Sequence, residues 1–303
     1  MTVTLTQGGI VSGGAAPATS GAGRRTDALP APSVELSIIV LNYRTPRLLE
    51  QCLHGILGLR TALGPEVIVV DNGSADGSLE MVAERFPQVT HIASPVNLGY
   101  AAGNNLALRR SRGRCVLVMN TDVVLPEGAL DELCRYLSEH PSAGLVAPRL
   151  VNPDGTTQLS VARFPSFWMP LWRRTPLGYL PLPRRAAARY MMTDWDHRDS
   201  RTVGWAMGAC LLIRREALET VGLFDEGFFL YLEDVDLCRR LWTAGWEVHY
   251  DSAVEVVHLH RRLSAGRSPI IAMFTSPVAR AHVRSWLRYF AKYRGAPRPP
   301  HSL

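Results

Sequence analysis

Four apolar runs in the first half of the chain each give way to polar or acidic residues, and this recurrence constrains the fold most. They are Leu36-Ser37-Ile38-Ile39-Val40-Leu41-Asn42-Tyr43, Val67-Ile68-Val69-Val70 before Asp71-Asn72-Gly73-Ser74, a shorter run from Val89 to Ala93, and Cys115-Val116-Leu117-Val118-Met119 before Asn120-Thr121-Asp122. Near-continuous branched residues without polar alternation suit strands buried on both faces, as in parallel sheets covered by helices. Thr45-Pro46 opens an intervening helix whose apolar face carries Leu48, Leu49, Cys52, Leu53, Ile56 and Leu57, giving a strand, helix, strand unit. The expected fold class is α/β, with a Rossmann-like, mostly parallel central sheet flanked by helices. In open sheets of this kind ligands bind beyond the carboxyl ends of the strands. Asp71 before Gly73 also reads as an ordinary turn former, and Asp122 as a helix cap. Their recurrence along one edge argues for a site.

Composition narrows the class. With 303 residues, 47% of them hydrophobic, the chain can bury a full core in one large domain or two closely joined halves. Residues 1–33 are rich in Gly, Ala, Ser, Thr and Pro without apolar periodicity and read as a disordered tail. Neither a membrane span nor a signal peptide is indicated, so a cytoplasmic location is expected. Five scattered cysteines, Cys52, Cys115, Cys134, Cys210 and Cys238, read as reduced core residues. The formal net charge of +6 favours an anionic partner: nucleic acid, a phosphorylated small molecule or an anionic membrane. No nucleic-acid-binding signature accompanies it, so nucleic acid is not expected as a partner. The Gly spacing in Asn97-Leu98-Gly99-Tyr100-Ala101-Ala102-Gly103-Asn104-Asn105 does not match a dinucleotide fingerprint.

The second half is less regular. A strand is expected at Gly144 to Pro148, a hairpin signal at Asn152-Pro153-Asp154-Gly155, then a long irregular segment from Arg163 to Tyr190 and a bent strand pair from Val203 to Arg214. Gly227 to Arg240 places Glu233, Asp234 and Asp236 directly after an aromatic run. Leu237, Leu241 and Trp242 follow at helical spacing, so the acids fall on a first helical turn. They complement the helix dipole there, or one of them acts as a general base at the floor of a cleft. His258 reads as a core histidine or, beside carboxylates, as a metal ligand. Ile270 to Tyr293 forms an amphipathic basic helix, either packed on the core or lying on an anionic membrane.

Together, Ser37 to Tyr43, Val69 to Ser74, Asn97 to Asn105, Asn120-Thr121-Asp122, Gly208-Ala209 and Tyr231 to Leu237 resemble glycosyltransferase family 2, especially its rhamnosyltransferase-like branch. The resemblance covers most of Val34 to His260. It implies a GT-A fold with a nucleotide-sugar-binding half at 34–150, an acceptor-binding and catalytic half at 151–260 and a basic C-terminal helical extension at 261–303. The activity it implies is inverting transfer of a sugar, with L-rhamnose from dTDP-rhamnose leading, to a glycan or polyprenyl-diphosphate-linked acceptor, assisted by Mg²⁺ or Mn²⁺. Asn42, Tyr43 and Asp71 would hold the base and ribose, with Gly103, Asn104 and Asn120 on the donor side. Asp122, with His258, would hold the metal. Asp234 would be the general base, and Trp205, Gly208, Ala209 and Glu233 would shape the acceptor site. The usual Asp-x-Asp metal motif reads Asn120-Thr121-Asp122 here, one charge fewer. The alternatives are a UDP-galactofuranose or UDP-N-acetylhexosamine donor, a soluble acceptor, or a non-catalytic nucleotide- or glycan-binding module. Peripheral contact with the inner face of an anionic membrane would follow from the basic helix.

Overall fold

The computed structural model describes residues 29–174, 176–259 and 276–302. Most of the expected tail, Arg261-Arg262 and the start of the expected C-terminal helix lie outside the described residues. The order begins with β1 (Val34–Asn42), α1 (Pro46–Gly58), β2 (Glu66–Asn72), α2 (Ser78–Arg85), β3 (Thr90–Ser94), α3 (Gly99–Leu108), β4 (Gly113–Asn120) and β5 (Val123–Val124). There follow α4 (Ala129–Glu139), β6 (Ala143–Val151), β7 (Val161–Ala162), α5 (Met169–Arg174), α6 (Pro181–Met191), β8 (Arg201–Thr202), β9 (Trp205–Ala206) and β10 (Cys210–Arg214). The last elements are α7 (Arg215–Val221), α8 (Glu233–Thr243), β11 (Glu247–His258) and α9 (Pro277–Lys292).

The main sheet runs β3-β2-β1-β4-β10-β6-β11-β5, with β8 also pairing to β11. β3, β2, β1 and β4 are mutually parallel, as are β6 and β11, whereas β10 lies antiparallel between β4 and β6. Because β10 comes from the second half and its neighbours from the first, one sheet is common to both expected halves. Successive residues of one strand face opposite layers: Ile39, Val70 and Val116 join one apolar cluster, and Ile38, Val69 and Leu117 the other. That two-sided burial explains the unbroken apolar runs.

Three expectations are corrected. The segment from Arg163 to Tyr190 is largely helical, carrying α5, a 3-10 turn at Pro176–Tyr179 and α6; its many prolines stand at helix starts, as Pro181 does in α6, where a missing N–H does no harm. The strand pair from Val203 to Arg214 is divided, with β9 pairing to β7 in a separate small sheet and β10 entering the main one. Cys115 and Cys134 are half-buried and only the other three cysteines lie in the core.

α9 packs on the protein. Tyr289 and Ser285 are buried, the Ser285 hydroxyl donates to Leu230 O (2.9 Å), and the Arg239 guanidinium lies 3.9 Å from the Tyr293 ring centroid. Trp286 and Phe290 pack partly buried against the core, while Val278 and Leu287 on the same helix remain exposed, so the helix is docked on the protein and keeps part of its apolar surface outside.

Candidate active site

Topology collects the polar strand ends at one edge. β1, β2 and β4 run in the same direction and end at Asn42, Asn72 and Asn120. Antiparallel β10 starts at that edge, Cys210 pairing with Met119, so Gly208-Ala209 arrive beside Asn120, whose N–H donates to Ala209 O (3.0 Å). β11 ends there too, with His258 opposite Val123.

Asn42 Nδ2 donates to Asp71 Oδ1 (2.9 Å) and Ser74 Oγ (3.2 Å), and Ser74 N–H donates to Asp71 Oδ2 (3.1 Å). The Thr45 hydroxyl donates to Asn42 Oδ1 (2.8 Å) and meets the Thr121 hydroxyl at 3.0 Å. Each Asp71 oxygen thus has one bond from the protein and a further lone pair for a ligand N–H or O–H.

A second group is built around α3. Its first residue, Gly99, has φ +84°, and a Cβ there would lie inside contact distance of Phe229 O. Tyr100 N–H donates to the same carbonyl (2.7 Å), docking the Phe229 loop on α3. Tyr231 and Leu232 both have φ +69°, a conformation costing non-glycine residues roughly 1–2 kcal/mol each. This bend turns the chain so that α8 starts at Glu233, and Asp234 Oδ2 accepts from Gly208 N–H (3.0 Å) while Oδ1 accepts from Val235 N–H (2.8 Å). The Tyr100 hydroxyl donates to Gly208 O, so Gly208 is gripped through both its backbone groups.

The three carboxyls of this stretch have different environments. Asp236 is 0% exposed and accepts from Arg240 Nε (2.8 Å), Lys292 Nζ (2.6 Å) and the Tyr293 hydroxyl (2.8 Å), which makes it the anchor of α9. Burial pushes the Asp234 carboxyl up to about 6, against the opposing pull of the Val235 and Gly208 N–H groups. Burial and the Asp234 charge push Glu233 well above the usual carboxylate range, and its Oε2 accepts no hydrogen bond among the described residues. At neutral pH the pair therefore separates into an anionic Asp234 and a Glu233 that resists ionisation.

His258 Nε2 lies 3.4 Å from Asp122 Oδ1. Gln158 Nε2 donates to His258 O (2.8 Å) and Asn152 Oδ1 (2.9 Å), which turns its Oε1 toward His258 Nδ1 at 2.8 Å. Nδ1 therefore carries a proton, leaving Nε2 as the atom directed at Asp122. A carboxylate oxygen and an imidazole nitrogen at this separation fit two positions of a divalent cation whose other ligands are water and substrate phosphate. Among the described residues no group of three or more His, Cys, Asp or Glu side chains forms a closed metal cage.

The pattern of glycosyl transferase family 2 matches residues 37–222, more than half of the chain, and that of glycosyl transferase family group 2 matches residues 184–293. The chain belongs to glycosyl transferase family 2. It is 33% identical over 263 residues to an N-acetylglucosaminyl-diphospho-decaprenol L-rhamnosyltransferase of Mycobacterium tuberculosis, covering 80% of each chain. To the rhamnosyltransferase WbbL of Escherichia coli it is 38% identical over 247 residues, covering 76% of this chain and 83% of that one. Its fold is similar to that of GalNAc-T7, solved with UDP, GalNAc and Mn²⁺, at a TM-score of 0.61 and 15% identity, covering 85% of this chain and 48% of that one.

In this family 2 glycosyltransferase the sheet edge brings together Asn42, Asp71, Asn120, Asp122, Gly208, Ala209, Asp234 and His258. Tyr43 lies just past β1, exposed, with Arg44 5.3 Å from its ring centroid. Gly103 and Asn104 do not line an open pocket. Both are buried in α3, where a Cβ on Gly103 would come within 2.7 Å of Leu41 and Asn104 Nδ2 donates to Tyr100 O (3.0 Å). Gly103 serves close packing of helix on strand. Trp205 is half-buried, its indole N–H donating to Arg163 O (2.9 Å) and its ring packing near Tyr190. Ser74, Thr45, Tyr100 and Gln158 escaped sequence reasoning. Ser74 and Tyr100 lie within the Val69 to Ser74 and Asn97 to Asn105 motifs, but Gln158 is 100 residues from its partner His258 and carries no local signal.

Proposed function

We propose that this glycosyltransferase moves L-rhamnose from dTDP-rhamnose, with inversion, onto a sugar hydroxyl of a polyprenyl-diphosphate-linked acceptor in cell-surface polysaccharide assembly. The observation that carries the reaction is Asp234, a buried carboxylate oriented by Gly208 and Val235 N–H groups at the sheet edge that also holds Asp71 and Asp122. The donor and acceptor classes are supported by the activities of the mycobacterial and Escherichia coli relatives, which align with most of the chain. Asp234 accepts the proton of the acceptor hydroxyl as that oxygen bonds to the anomeric carbon and the bond to the nucleoside diphosphate breaks. Its raised affinity for a proton makes it a stronger base than an ordinary aspartate. Glu233 and the Gly208-Ala209 turn bound the acceptor side, and Asn42, Tyr43 and Asp71 the base and ribose side. Asp122 and His258 would hold the divalent cation, Mg²⁺ or Mn²⁺, whose charge would offset that of the departing diphosphate. The proposed workplace is the inner face of an anionic membrane, contacted peripherally. The basic residues of 276–302 support it, and no helix among the described residues is long and apolar enough to cross a membrane.

The direct test is thermal stability against a panel of nucleotides and nucleotide sugars with and without Mg²⁺ or Mn²⁺, since a ligand of the folded state raises the melting temperature. A metal-dependent rise selective for dTDP and dTDP-rhamnose is expected. A rise with UDP sugars instead would replace the donor, and no rise with any nucleotide would remove the transferase reading.

A further inference from the structure

α9 leaves an apolar feature that the sugar chemistry does not use. Phe167, Trp168 and Pro170 face His282, Val283, Trp286 and Leu287 across a groove of about 270 Å³. Its frame is fixed: the Trp286 indole N–H donates to Phe167 O (3.2 Å), and the Phe167 and Phe290 ring centroids stand 5.3 Å apart, edge to face. Trp168 and Leu287 remain 57% and 54% exposed. With the Trp286 indole N–H already bonded, the remaining polar groups of these side chains are the Trp168 indole N–H and the His282 imidazole, and every other lining side chain is apolar, so an occupant of this groove is mainly hydrocarbon where it touches these walls. The volume falls just below the roughly 300–1,000 Å³ usual for small-molecule sites, which suits a stretch of a longer ligand.

Two more observations say what that ligand is attached to. Residues 163–190 and 276–302 each contain six Lys or Arg and no Asp or Glu; Arg288 and Lys292 are paired with Asp225 and Asp236, and the net positive charge of the two segments favours an anion. The groove also adjoins the catalytic loop. The His282 and Tyr231 rings lie 4.7 Å apart, Tyr231 is three residues before Asp234, and Ser285 on the same helix holds Leu230 O. A hydrocarbon chain joined to an anionic head, placed beside the acceptor side of a transferase, has the chemistry of a prenyl diphosphate.

We propose that the groove between α5 and α9 binds the diphosphate-proximal prenyl units of the lipid-linked acceptor, a substrate contact that rests on the acceptor class proposed above. It holds the lipid by its chain while the head group lies against the Arg-rich surface and the sugar reaches Asp234.

Calorimetric titration of the full chain with farnesyl diphosphate and with inorganic diphosphate tests this, beside the variant Trp168→Gln, Leu287→Gln. Both positions are more than half exposed, and unchanged melting temperature verifies folding. Farnesyl diphosphate should bind at least about tenfold more tightly than inorganic diphosphate, as expected for burying a few CH₂ groups. The variant should lose that preference and keep its affinity for inorganic diphosphate. Equal affinities in the native chain, or a preference that survives the substitutions, would overturn the proposal. Flotation with phosphatidylglycerol vesicles separates the bilayer from the single chain. Flotation that the variant loses, without any farnesyl preference in the native protein, would assign the surface to the membrane and also overturn the groove. Neither titrant contains nucleoside or sugar, so failure here is distinct from failure of the nucleotide test.

Discussion

The raised proton affinity of Asp234 predicts an acid limb in the pH dependence of transfer. With its carboxyl at about 6, the base is half ionised near pH 6 and about one-tenth ionised at pH 5, whereas an ordinary aspartate near 3.9 would be more than about nine-tenths ionised there. kcat/KM should therefore fall about tenfold from pH 7 to pH 5. The assay is release of the nucleoside diphosphate at saturating metal with a short lipid-linked acceptor. Asp234→Asn should lower kcat by roughly 10²–10⁴-fold while leaving donor affinity intact. Burial and the neighbouring Asp234 charge raise the Glu233 carboxyl as well, and Glu233→Gln separates the two groups: the acid limb should persist in that variant if Asp234 is its source. A flat profile down to pH 5, or Asp234→Asn retaining more than about a tenth of activity, would refute the assignment. Stability follows from the same burial. Because the folded value exceeds the unfolded one, the folded protein binds more protons between about pH 4 and 6, and stability falls as pH rises through that window. The contribution of Asp234 is about 3 kcal/mol, present below pH 4 and lost above pH 6.

Two further substitutions test the scaffold. Asp236→Asn removes the charge shared by Arg240, Lys292 and Tyr293 and should cost about 3 kcal/mol in urea unfolding, the lower end for breaking a buried pair because Lys292 keeps Asp225 at 2.6 Å. A loss below about 1 kcal/mol would mean that Asp236 does not anchor α9. Gly99→Ala forces a side chain into Phe229 O at positive φ, and should lower kcat by displacing the loop before Asp234 while nucleotide affinity is kept; unchanged kcat would break the proposed link between α3 and the base.

Much of this was legible in the chain. The unbroken runs at Ile38 to Leu41 and Val67 to Val70 demanded strands buried on both faces, and Asp234 stood beside aromatic residues at a helix start. Composition and spacing left three matters open. One was which of the three neighbouring carboxyls carries chemistry. Periodicity cannot tell Asp236 from Asp234, because the distinction lies in Lys292 and Tyr293, more than fifty residues away. Another was Gly103, which a motif offers to a ligand and the packed structure gives to Leu41. The third was the C-terminal helix, whose amphipathic pattern is the same whether its apolar stripe meets lipid or protein.

The sequence by itself determined the parallel α/β framework, its polar edge and the family, because these rest on periodicity and on short ordered motifs. Tertiary structure decided the antiparallel insertion of β10 that carries Gly208 to Asp234, the meeting of Gln158 with His258, and the groove between α5 and α9. Each of these depends on contacts between residues far apart along the chain, and long-range contacts are set by the packing of whole layers, which no local pattern encodes.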